Sequence, residues 1–248
     1  MTQTRFNKDE VTYLPINSQL KLFLLGFIGS QIISTIISLI FTFYGISIYG
    51  DNVDLVQKFL DSLPVTMFVN SAAYVLTYLG VLLSVGQGIP LLLNKFKNTK
   101  AYGAAFCGIA AIFLFNFIYN AFLSAVGVEI SSNLNESTLE SISKAYTIPA
   151  LFMFGIIAPI VEELTYRVGL FSLCSRKGKT FAYTVTIIVF TLIHIEFFTS
   201  NILIELLNIP FYCFAAATFC FLYDKYGFAA STTAHIMNNV VSILLSLF

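Results

Sequence analysis

Seven apolar stretches dominate the chain, at about residues 20–44, 65–85, 103–126, 147–171, 181–198, 202–223 and 227–248. Each approaches the roughly 20 residues that a helix needs to cross a hydrocarbon layer about 30 Å thick. Composition agrees: 57% of residues are hydrophobic, only 10% are charged and the mean hydropathy is +0.84, against about 25% charged residues in an ordinary soluble domain. The expected fold is therefore an all-α integral membrane protein, a polytopic helical bundle of about seven transmembrane helices. The count runs from six to eight, because "DLVQKFLDSL" (54–63) reads as a short interfacial helix and "PLLLNKF" (90–96) as a segment dipping into the headgroups. Residues 1–248 form one integral-membrane domain, in which 1–146 supply N-terminal helices and loops and 147–248 supply the motif-bearing core helices.

Between the stretches the charges alternate in sign. Arg5, Lys8 and Lys21 precede or open the first, Lys95, Lys97 and Lys100 separate the second from the third, and Arg176, Lys177 and Lys179 follow the fourth. The intervening loops hold Asp51, Asp54 and Asp61, then Glu129, Glu136 and Glu140, then Glu196 and Glu205, with Lys58 and Lys144 as their basic residues. Lysine and arginine bias sets orientation, so the N-terminus is expected in the cytoplasm and the C-terminus outside. The last cytoplasmic turn is the weakest sign, carrying Asp224 and Lys225.

The first stretch is longer than a secretory core region and ends without an A-x-A pattern, so it reads as a retained helix rather than a signal peptide. Cys107, Cys174, Cys213 and Cys220 lie in or beside apolar spans without C-x-x-C spacing, which suggests neither a disulfide framework nor a thiolate zinc site. "NES" (135–137) is a three-residue glycosylation match of little weight. There is no phosphate-binding glycine loop and no basic nucleic-acid patch, so the expected partners are the lipid bilayer and a membrane-borne substrate, not nucleic acid. Nothing in the sequence indicates an oligomeric state.

With nearly every charge assigned to a loop, Glu162, Glu163 and Arg167 stand out in "PIVEELTYR" (159–167). A charged side chain at a helix centre costs about 2.5–3.5 kcal/mol on insertion scales and nearly always faces a bundle interior or a wet cavity. Glu163 and Arg167 are four residues apart and pair along one face; Glu162 is turned by about 100° and needs another partner. The two histidines lie in other apolar stretches, His194 in "FTLIHIEFF" and His235 in "TTAHIMNNVV", with Asn239 one turn beyond His235. At about 1.5 Å per residue these groups reach one level of the membrane, expected near its cytoplasmic half. Pro159 and Gly155 loosen the helix just before the glutamates.

One carboxylate without a pair, two imidazoles and an amide can hydrolyse a peptide bond. The carboxylate takes a proton from water, a histidine shares that work or protonates the leaving amine, and a histidine with an amide stabilises an oxyanion. Taken singly, each has a plainer reading: Glu163 with Arg167 as a structural pair, a histidine as a packed core residue, Asn239 and its neighbour Asn238 as interhelical glue. Their coincidence at one depth favours a site. Other intramembrane protease signatures (H-E-x-x-H, G-x-S-G, G-x-G-D) are missing; "IYGD" (48–51) has isoleucine at the first glycine position.

"EELTYR", "FTLIH" (190–194) and "HIMNN" (235–239) resemble the E-E-x-x-x-R, F-x-x-x-H and H-x-x-x-N motifs of the CAAX prenyl endopeptidase and bacteriocin-processing (CPBP, Abi-like) intramembrane proteases, in the family's order. The resemblance covers the C-terminal part, about 147–248. It implies a helical endopeptidase in which Glu162 and His194 activate water, His235 and Asn239 form the oxyanion site, and Glu163, Arg167, Tyr166 and Phe190 support them. It implies a peptide or lipid-modified protein as substrate and a bacterial cell membrane as the setting. No cofactor is expected, although Glu162, His194 and His235 would also make a His2Glu zinc set. A non-proteolytic immunity or scaffold protein and, less favoured for want of a two-half repeat, a proton-coupled transporter are the other classes.

Overall fold

The computed structural model describes residues 14–128 and 131–248, and among them the regular structure is all helical, without a strand. Arg5, Lys8 and Glu129, used for the expected orientation, lie outside the described residues. Among the described residues six helices are long and apolar enough to cross a membrane: α1 (Ile16–Tyr49), α3 (Leu63–Val85), α5 (Thr99–Ala125), α7 (Thr147–Ser175), α9 (Ile202–Tyr226) and α10 (Phe228–Leu245). A shorter apolar helix, α8 (Lys179–Leu192), joins them. The chain is thus an all-α, multi-pass integral membrane protein. Two short helices, α2 (Val53–Leu60) and α4 (Ile89–Asn94), fall where interfacial segments were expected.

Burial identifies the central element. Half of the apolar window of α7 is buried inside the bundle, against 6% for α1, so α7 is wrapped by protein while α1 turns most of its surface outward. The two helices cross at close range: a Cβ at Gly169 would stand 2.9 Å from the Phe23 amide nitrogen, and one at Gly26 would run into the Thr165 side chain. Only glycine lets backbones approach in this way.

Helix α7 is not a uniform α-helix. Met153–Ile157 and Glu163–Phe171 are π-helical, flanking Pro159, whose missing N–H leaves a carbonyl one turn earlier without its usual donor. Side chains then enter the ladder: the Thr165 hydroxyl donates to Val161 O at 2.7 Å and the Ser172 hydroxyl to Arg167 O at 3.1 Å. Insertions of this kind widen a helix.

Three expectations need correction. The stretch 181–198 is helical only to Leu192, because the His194 ring nitrogen Nδ1 takes the Phe190 carbonyl at 2.7 Å and His194 N bonds back to Thr191 O at 3.0 Å; both tighten and close the last turn. His194 therefore lies just beyond a helix rather than inside one. Glu136 and Glu140 are not on an open loop but on an amphipathic helix, α6 (Leu134–Ala145), capped by Asn133 Oδ1, which accepts from Glu136 N at 2.9 Å. Glu205, taken for a loop acid, is 2% exposed and accepts bonds from Leu134 N (2.9 Å), Glu196 N (3.0 Å) and Asn133 Nδ2 (3.3 Å). A buried carboxylate holding three donors needs no cation to remain satisfied.

Candidate active site

Glu162 projects from α7 into a cavity of about 220 Å3 whose lining also includes Tyr74, His194, Tyr212, His235 and Asn239. Its Oε1 accepts the Tyr74 hydroxyl at 3.1 Å. Its Oε2 has no hydrogen-bond partner among the described residues and stands 3.7 Å from His235 Nε2. That separation is too long for a direct hydrogen bond, and it leaves Glu162 Oε2 able to accept from a group that enters the cavity.

Behind this wall a line of charges fixes the histidine. His235, 3% exposed, has Nδ1 at 2.9 Å from Glu163 Oε1, and the same oxygen lies 3.0 Å from Arg167 Nη1. Glu163 and Arg167 are fully buried. Among the described residues Arg167 pairs with no other carboxylate; its guanidinium is instead covered by Phe190, 4.5 Å from the ring centroid, and Phe219 at 5.3 Å. Held beside Arg167, Glu163 is an acceptor-only carboxylate, so His235 donates through Nδ1 and turns Nε2 to the cavity. Phe219 also stacks on the His235 ring at 4.5 Å, which leaves the imidazole little freedom to rotate.

His194 reaches the cavity from the opposite side. With Nδ1 donated to Phe190 O, Nε2 is the ring nitrogen left for other work. The ring stacks on Tyr212 at 4.8 Å. Its backbone carbonyl accepts Asn133 Nδ2 at 3.0 Å, so the Glu205 hub anchors it. Asn239 Nδ2 donates to Phe154 O at 3.0 Å and Asn239 Oδ1 accepts from Asn238; one amide hydrogen remains.

The structure thus gathers Glu162, His194, His235, Asn239 and Phe190 around one cavity. Glu163, Arg167 and Tyr166 stand outside its lining, Tyr166 being 4% exposed and edge-on to Phe190 at 5.5 Å. Among the described residues no three His, Cys, Asp or Glu side chains come together as a metal-ligand set, the triad Glu162, His194 and His235 included.

The cavity also lies elsewhere than expected. Its lining comes from α6 and the parts of the spans near it, with none from the basic turns at 95–100 or 176–179. It occupies the half of the bundle opposite the lysine-rich face, because His194 sits at the α6 end of α8. The α6 side adds Glu136, whose carboxyl is pushed up by burial and held back by the Tyr212 hydroxyl, 3.4 Å away. Tyr74 was not singled out in the sequence; the polar pair Asn70–Ser71 in the same apolar run is the sign that α3 has a wet face.

Residues 144–241, which span α7 to α10 and all three motifs, match the family model described as type II CAAX prenyl endopeptidase Rce1-like. The UPF0177 protein YvdC of Lactococcus lactis subsp. lactis (strain IL1403) is 23% identical over 141 residues, covering 56% of this chain. The match spans about half of that relative, 51% of its length. No solved structure matches the chain significantly.

Proposed function

We propose that the protein is an intramembrane endopeptidase of the Rce1-like kind, which cleaves a membrane-associated peptide or lipid-modified protein with Glu162 as general base. The observation that carries this is the pairing of Glu162 Oε2 and His235 Nε2, 3.7 Å apart at the wall of the cavity. Each partner is fixed from behind, one by Tyr74 and the other by Glu163. A water in the cavity beside Glu162 Oε2 gives its proton to that carboxylate while its oxygen adds to the scissile carbonyl carbon. The oxyanion takes hydrogen bonds from His235 through Nε2, which carries a proton in this scheme, and from the remaining Asn239 N–H. Collapse breaks the C–N bond, and the amine takes the proton held by Glu162, directly or through His194 Nε2.

Catalysis in this scheme runs without a metal, a reading supported by Asn239, which suits an oxyanion better than a cation. The setting is a bacterial cell membrane with the N-terminus inside, and prenylated proteins or bacteriocin-type peptides are the two substrate families to try first. The decisive experiment is cleavage of such peptides by purified protein, followed by mass spectrometry. Glu162→Gln should fold normally and lose about 100- to 10,000-fold in turnover, the range of general-base catalysis. Unchanged turnover in that variant removes the scheme, and loss of activity with chelator, restored by stoichiometric zinc, removes its metal independence.

A further inference from the structure

The α6 end of the cavity is electronegative in a way that the hydrolytic scheme does not use. Glu136 lines the cavity, yet the ion pairs of the described residues give it no lysine or arginine. Its carboxylate lies 3.4 Å from the Tyr212 hydroxyl, which also reaches Asn133 Oδ1 at 3.2 Å and whose ring stacks on His194. The neighbouring lining groups Asn70, Asn135 and Asn238 are neutral, and a second carboxylate, the buried Glu205, also acts on Glu136. Burial without a countercharge opposes ionisation of Glu136, a cost that an entering cation would offset.

We propose that Glu136 and Tyr212 form a subsite that selects a positively charged group of the substrate, a lysine or arginine side chain or a free amine within a few residues of the scissile bond. This rests on the endopeptidase reading and adds the charge class of the substrate to it. The Glu136 carboxylate accepts from the cation, and the Tyr212 hydroxyl beside it completes the polar wall of the subsite. Two glutamates lining one cavity, Glu162 to deprotonate water and Glu136 to hold a cation, give a field that repels acidic segments and draws basic ones.

The test uses a neutral peptide that the protein cleaves, or failing that binds, with a single lysine, glutamine or glutamate moved through each position. Hydrolysis is read as kcat/KM on the wild-type protein, and binding as Kd on Glu162→Gln in nanodiscs. At one or two positions lysine should be preferred over glutamine by about tenfold, the worth of one charged hydrogen bond. That ratio should fall to near one in Glu136→Gln, survive in Glu136→Asp and turn towards glutamate in Glu136→Lys. Taking the ratio within each variant removes any general loss of activity. Should the variants fail to fold, the wild-type ratio must still shrink as salt is raised. A lysine preference at no position, or one unaltered by Glu136→Gln or by salt, overturns the subsite. Cleavage without charge preference removes the subsite and leaves the protease. Charge-selective binding without cleavage does the opposite, and neither binding nor cleavage of any peptide removes both.

Discussion

Replacing Glu163 by glutamine tests whether the buried charge line is structural, catalytic or both. Arg167 is 0% exposed and has Glu163 as its carboxylate partner at 3.0 Å, so the substitution leaves a full positive charge in the bundle without its counterion. Breaking a buried pair in this way costs about 3–5 kcal/mol. The aromatic cover over the guanidinium from Phe190 and Phe219 persists in the variant and holds the cost to the lower part of that range. At about 2–4 °C per kcal/mol for a chain of this size, the melting temperature should fall by roughly 6–12 °C. The chain has no tryptophan but four free cysteines, among them the buried Cys220, so a thiol-reactive dye reports the melt in detergent once the exposed Cys107 is replaced by serine. His235 Nδ1 exchanges a carboxylate for the weaker amide oxygen of glutamine at the same time, so turnover should fall too. Adding Arg167→Met removes the stranded charge and should recover most of the melting temperature but none of the activity. A Glu163→Gln protein that melts within about 2 °C of wild type would refute the buried-pair reasoning.

Tyr74→Phe removes one hydrogen bond to Glu162 while keeping the edge contact to Phe154; kcat/KM should drop about two- to tenfold with the melt unchanged, and full activity would show that Glu162 needs no such support. Gly169→Val places a side chain against the Phe23 backbone and should lower the melt by several degrees, overpacking costing about 1–3 kcal/mol, whereas Gly80→Val, with open space around it, should not. For orientation, single cysteines at Lys97 and Ser141, both exposed, should label from opposite sides of the membrane in a cysteine-free background; labelling from one side would remove the expected topology.

The parts of the site that were legible in the sequence are those that lipid makes expensive. Glu162, His235 and Asn239 announce themselves because a polar group in an apolar helix must have a reason, and α7 and α10 run as helices through the stretches that carry them. Tyr74 gives no such signal, since a phenol in a membrane helix is ordinary and its use depends on which helix lies opposite. Glu205 and the whole of α6 were hidden for the opposite reason: acids between spans look alike whether they face water or, like Glu205, gather backbone N–H groups from two loops. The end of α8 escaped because hydropathy carries on past Leu192, while the bond from the His194 ring to Phe190 O is a matter of geometry that no apolar average contains.

The crossing of α1 over α7 at Gly26 and Gly169 bears on how such a chain can diverge. The segment matched by the family model begins at residue 144, yet α7 is held by a helix more than a hundred positions earlier. Side chains at 19–26 and at 165–169 share one interhelical gap with no room to spare. A larger residue on either strip survives only if the other becomes smaller, so these two strips should vary together among relatives. A chimera that joins α7–α10 from one relative to α1 from another should inherit the motifs intact and still fail to assemble, unless both strips are carried over as a pair.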